Sequence, residues 1–203
     1  LGRALVAGDG GALCLTGARA TEGALDSLAA GRRVVHLATH GFFGRRPADG
    51  AGAGQDGPAA ALLAGAGLAL AGANGRPRGE PGEDGLLTVP EISALDLSGA
   101  EWVVLSACET GVGAISAPEG VLGLRRAFLV AGAHTVVTSL WKVDDATTRL
   151  WMQELYRARL ERGRSSAEAV RAASRELLRR RRELGLDTRP AGWGGFVAVG
   201  DWR

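Results

Sequence analysis

Three apolar runs stand out along the chain: "RVVHLATHGFF" (33–43), "WVVLSA" (102–107) and "HTVVTSLW" (134–141). Each is rich in β-branched residues and lacks polar alternation, the pattern of strands buried on both faces of a parallel sheet. Between them the period lengthens. Beyond Pro118 and Glu119, the residues Val121, Leu122, Leu124, Phe128 and Leu129 recur at helical spacing until Gly132 stops them. Thr21 reads as the N-cap of a helix ending near Ala30, with Gly31 beyond it, and Thr88 or a neighbour starts a short helix through Ile92. Asp144 or Asp145 caps a helix running to Arg162, and Ser165-Ser166-Ala167-Glu168 forms a capping box for the last long helix. Residues 4–7 and 12–15 suit short strands, 62–70 an edge strand or hairpin, and "GFVAVGDW" (195–202) a closing strand. Strands alternating with helices predict an α/β fold whose parallel-type sheet is covered by helices on both sides.

Two segments resist this pattern. Residues 44–60 and 76–85 are glycine-, proline- and polar-rich, and both are expected to be loops. The first contains a G-x-G-x-x-G match at 52–57, but it follows no strand and opens no helix, so it is no nucleotide fingerprint. "ALLAGAGLALAGA" (61–73) is apolar but too short and glycine-rich for a membrane span, which needs ~20 apolar residues. No membrane anchor is expected.

Composition alters this picture only in detail. A chain of 203 residues can bury one good core and is short for two domains. Its net charge of +2 gives no general case for nucleic acid. Locally, 157–182 carries ten arginines against Glu161, Glu168 and Glu176. Such a cluster can meet an acidic partner, but it falls on the outer faces of two predicted helices, and a solvated face is the preferred reading. Two cysteines without a secretory signal suggest a reducing cytoplasm. Leu1 in place of methionine suggests a piece of a longer protein.

The chemistry sits at strand ends. Cys108 follows its apolar strand and precedes a turn punctuated by Gly111 and Gly113. The rim of an open α/β sheet is where such folds keep their sites. A thiol is a nucleophile only as thiolate, so it needs a base, and histidine is the usual one. Of the three histidines, His40 ends its own apolar run immediately before Gly41, mirroring Cys108. The two lie 68 residues apart, room for a crossover between adjacent strands. His36, deeper in the same run, is expected to be a core histidine, and His134 to be structural; Cys14 is given no role. No cysteine–histidine spacing suits zinc, and no cofactor is expected.

"HLATHG", "VVLSACETGVG", "EGVLGLRRAFLVAGAHTVVTSLWKVDD" and the terminal "GFVAVGDW" together resemble the CHAT domain, a family of caspase-like cysteine peptidases similar to separases. The resemblance runs from about Thr21 to Arg203, leaving 1–20 as a partial N-terminal segment of a larger protein. It implies a caspase-like α/β fold with a mostly parallel central sheet flanked by helices. It makes Cys108 the nucleophile and His40 the general acid/base, with the Gly41 and Cys108 N–H groups holding the oxyanion. Glu109 is read as a structural residue of the turn. Either Asp144 or Asp145 would line a substrate pocket, since a separase aspartate near here selects a basic residue; helix capping is the competing reading. The expected activity is a cysteine endopeptidase acting on a protein substrate, served by an N-terminal helical-repeat or sensor region. The alternative is a non-catalytic scaffold of the same fold.

Overall fold

The computed structural model describes residues 3–8, 11–43, 66–74, 83–106 and 117–203, in two compact units, Leu1–Val136 and Val137–Arg203. It is a mixed α/β fold with a mostly parallel sheet flanked by helices.

In the first unit, β1 (Arg3–Gly8) and β2 (Gly11–Thr16) form an antiparallel hairpin, and β1 also pairs antiparallel with β3 (Val34–Ala38). Residues 1–20 therefore contribute two strands to the central sheet. Helix α1 (Glu22–Ala29) is capped as its sequence predicts: the Thr21 hydroxyl accepts from the Ala24 N–H, and Gly31 beyond the helix takes φ +69°. β3 pairs in parallel with β7 (Trp102–Leu105), from Val34 opposite Trp102 to Leu37 opposite Leu105. The sheet order in this unit is β2-β1-β3-β7, and β8 (Thr135–Ser139) begins beside β7, where the Thr135 N–H donates to the Glu101 carbonyl at 3.1 Å.

The apolar run 33–43 is not one strand. It divides at Thr39, whose hydroxyl donates to the Ala69 carbonyl and turns the chain out of the central sheet. Beyond it, β4 (His40–Phe43) joins a separate antiparallel sheet with β5 (Ala66–Ala69) and β6 (Leu86–Thr88), in the order β4-β5-β6. The segment expected to give an edge strand or hairpin at 62–70 thus supplies the central strand here; residues 62–65 lie outside the described residues. Gly67 makes the pairing possible. A Cβ there would stand 2.5 Å from Phe42 Cζ and 2.6 Å from the Leu87 carbonyl oxygen.

Helix α2 (Val89–Ala94) opens on a capping box, with the Thr88 N–H donating to the Glu91 carboxylate at 2.7 Å. Helix α3 (Ala117–Val130) crosses from β7 to β8 and buries Leu124, Ala127 and Phe128. These join Val35, Leu37, Leu68, Ile92, Leu97 and Val103 in one core. Full burial of such side chains contributes ~1.5–3 kcal/mol each.

In the second unit the rest of β8 lies beside β9 (Phe196–Gly200), and the Leu140 N–H donates to the Gly195 carbonyl at 2.7 Å. Helix α4 (Asp145–Tyr156) continues into a π-turn (Arg157–Glu161) and packs on α5 (Ser166–Glu183), whose capping box is the Ser165–Glu168 pair anticipated from sequence. α5 buries Ala169, Ala173 and Leu177 on one face, spaced i, i+4, i+8, and the two alanines let the helices approach. Trp151 stacks on Phe196 at 4.3 Å between centroids and donates from its indole to the Ser174 hydroxyl.

The turn from α3 into β8 is set by Gly132 at φ +107°, where a Cβ would meet the Ser98 backbone nitrogen at 2.8 Å. Gly132→Ala is expected to cost about 2 kcal/mol or more, through left-handed strain plus a backbone clash. Gly163, at φ +59° with nothing within 4 Å, carries the strain alone, so Gly163→Ala is expected to cost about 1 kcal/mol. Urea unfolding of the two variants measures the difference.

Candidate active site

His40 is the first residue of β4, not the last of the core strand, and its side chain is exposed. The buried Thr39 hydroxyl anchors the chain just before it, and its backbone lies opposite Ala69. Next to it, Gly41 is buried and lies opposite Leu68, and Phe42 packs on Gly67. The imidazole is thus presented by a strand whose neighbours on both sides are fixed, two residues beyond the end of β3.

On the neighbouring strand, the Ser106 N–H donates to the Leu37 carbonyl at 2.9 Å, so the parallel pairing extends past the end of β7. Cys108, Glu109, Gly111 and Gly113 lie outside the described residues. The β3–β7 register offset is 68 residues at every pair from Val34–Trp102 to Leu37–Leu105, the same separation as His40 and Cys108. In sequence, then, His40 stands three residues beyond Leu37 and Cys108 three beyond its partner Leu105.

The other histidines stand apart from His40. His36 lies in β3 opposite Val104, and burial pushes its pKa down to about 4. His134 is exposed, and its backbone N–H donates to the Ala100 carbonyl. Cys14 is exposed on β2.

In the second unit, Asp144 is the N-cap of α4. Its carboxylate accepts the Thr147 N–H at 2.9 Å, and that hydrogen bonding holds its carboxyl below the usual carboxylate range. Asp145 opens the helix and is exposed. The capping role thus falls to Asp144. The segment leading to the pair is anchored by contacts that periodicity could not reveal. The Trp141 indole donates to the Ala191 carbonyl at 3.2 Å, and a Cβ on Gly195 would stand 2.7 Å from Val143 Cγ2. The adjacent glycines 194 and 195 were the available signal, since close backbone approach needs a residue without a side chain. Among the described residues no group of three or more His, Cys, Asp or Glu could hold a metal ion, and no helix is long and apolar enough to cross a membrane.

The CHAT domain profile matches residues 4–201. The chain belongs to the CHAT domain family. The family is caspase-like and often peptidase-like, and the match takes in β1 and β2 as well as the region from Thr21 onward. The chain is also similar to tetratricopeptide repeat protein 28 of mouse, 31% identical over 115 residues, and of human, 31% identical over 120 residues. These stretches cover 57% and 59% of the CHAT chain but only 4% and 5% of the relatives, so the chain spans a small fraction of their length.

Two predictions follow from these side chains. The unfolded chain takes up a proton at the ordinary histidine pKa near 6.5, whereas folded His36 resists protonation until about pH 4. Stability is therefore expected to fall by up to about 3 kcal/mol between those values, and His36→Leu to flatten that slope in pH-dependent denaturation. For the cap, Asp144→Ala is expected to cost about 1 kcal/mol at neutral pH, and Asp144→Ser much less, since serine also caps. A depressed carboxyl contributes above its unfolded pKa and loses that contribution as pH falls through the folded value, so the Asp144→Ala penalty should vanish in acid. Thermal unfolding across pH reads both.

Proposed function

We propose that this CHAT domain is a cysteine endopeptidase that cleaves a protein partner after a basic residue. The observation that carries the reading is the β3–β7 pairing, in which adjacent parallel strands run with the same offset that separates His40 from Cys108. Side chains at matching positions beyond two such strands share one rim of the sheet.

In this reading His40 accepts the Cys108 thiol proton, and the thiolate attacks the scissile carbonyl carbon. The Gly41 and Cys108 N–H groups hold the resulting oxyanion; losing one such donor typically costs ~10²–10³ in rate. Collapse of the tetrahedral intermediate breaks the C–N bond, and protonated His40 gives its proton to the leaving amine. Water, deprotonated by His40, then hydrolyses the thioester and returns the thiol. No cofactor is needed. Thiolate chemistry of this kind suits a reducing compartment such as the cytoplasm.

Specificity is assigned to the acidic pair. With Asp144 engaged as the cap, Asp145 is the carboxylate left to receive an arginine or lysine side chain. One charge-assisted hydrogen bond is worth ~1.5–3 kcal/mol, a factor of ~10–150 in preference. The curated relatives are named for tetratricopeptide repeats, which supports a helical-repeat region of the same protein as the element that recruits substrate. The alternative reading is a scaffold that keeps the fold without cleavage, with which repeat-bearing relatives are equally compatible.

A peptide library and a thiol-reactive peptide probe decide between the two. The wild-type chain should cleave after Arg or Lys and label at Cys108. Cys108→Ala should abolish both, His40→Ala should slow cleavage by about 10²–10⁴, and Asp145→Asn should reduce only the basic preference. An unlabelled, inactive wild-type domain would establish the scaffold.

A further inference from the structure

Thr39 is the residue at which the chain passes from one sheet to the other. β3 closes at Ala38, the backbone bends at Thr39, and His40 opens β4. Burial alternates across the bend: Thr39 and Gly41 are buried, and His40 between them is exposed. In extended backbone successive side chains point to opposite faces, so whatever holds Thr39 inward also turns the imidazole outward.

The Thr39 hydroxyl is fastened to a point that is itself held. It donates to the carbonyl of Ala69, which is also the residue opposite His40 in the β4–β5 pairing. The two residues that follow Ala69 are bound from other directions. The Leu70 N–H donates to the Gly85 carbonyl at 2.7 Å, and the Ala71 N–H donates to the Ala20 carbonyl at 2.9 Å. Gly85 is secured in turn, since the Glu22 carboxylate accepts its N–H at 2.5 Å. The end of β5 is thus tied to three segments distant in sequence, and the tie from Thr39 reaches to within one peptide unit of His40.

We infer that Thr39 is a positioning residue, whose hydroxyl, held on the Ala69 carbonyl, sets the direction in which His40 presents its imidazole. The consequence for rate rests on the peptidase reading; the placement of the ring does not. β4 is four residues long and His40 is its first, the place where a short strand frays most readily. The Thr39 tie lies just beyond that end and closes it. Threonine suits the task because a β-branched side chain is stiff at χ1, which keeps the hydroxyl from swinging away. Displacing a reacting group by about 1 Å can cost about 10²-fold in rate.

Two substitutions separate the hydroxyl from the shape. Thr39→Val keeps the branched side chain and removes the donor, whereas Thr39→Ser keeps the donor. On a peptide cleaved after arginine, Thr39→Val should lower kcat about tenfold or more with KM within about twofold, and Thr39→Ser should recover most of the loss. Both variants should melt close to the wild type. In NMR spectra of the same proteins, the imidazole and amide resonances of His40 should move or broaden in Thr39→Val but not in Thr39→Ser, while those of His134 stay in place. The inference fails if the His40 resonances of Thr39→Val coincide with those of the wild type, if its kcat is unchanged, or if serine restores nothing. A wild-type chain that neither cleaves nor labels at Cys108 overturns the peptidase reading instead. The His40 spectra then decide alone: movement in Thr39→Val only upholds the positioning role, and coincidence with the wild type removes it.

Discussion

The parallel pairing of β3 with β7 is the constraint from which the rest of the first unit follows. All four residues of β7 are buried, as are Val35 and Leu37 opposite them, so a one-residue slip would carry the apolar set of β3 to the wrong face. That fixes the offset at every rung. The Ser106 N–H still reaches the Leu37 carbonyl, so the pairing persists one residue beyond β7.

Much of this was legible in the sequence because it is local. The helix start at Thr88, the capping box at Ser165–Glu168, the Thr21 cap and the stop glycine at 31 are each decided within four residues, and each lies where the residue types put it. The fold class followed from the alternation of β-branched runs with helical periods. What could not be read was partnership. The run 33–43 shows no change of period at Thr39, so its pattern does not separate a strand of the central sheet from one of the β4-β5-β6 sheet. The division at Thr39 depends on Ala69, 30 residues away. His40 accordingly opens a strand where the sequence had it ending one.

The acidic pair shows the same limit at finer scale. Asp144 and Asp145 are chemically identical neighbours, and either could have capped the helix. The choice was made by the approach of the preceding segment, which Trp141 and Val143 hold against Ala191 and Gly195, about 50 residues downstream. The arginine excess was equally ambiguous as composition. Within it, Arg162 pairs with Glu154, Arg164 with Glu168, and Arg179 and Arg180 with Glu176, assignments that composition does not carry.

The Phe42–Gly67 contact has an evolutionary corollary. The ring of one and the missing side chain of the other occupy the same space, so a smaller residue at 42 would remove one of two obstacles to a side chain at 67. The Leu87 carbonyl oxygen, 2.6 Å from that same point, belongs to the backbone and cannot be traded away by mutation. The compensation is therefore one-sided: position 42 is free to vary while position 67 is held to glycine, and the strand that carries His40 inherits that fixed geometry whatever sequence surrounds it.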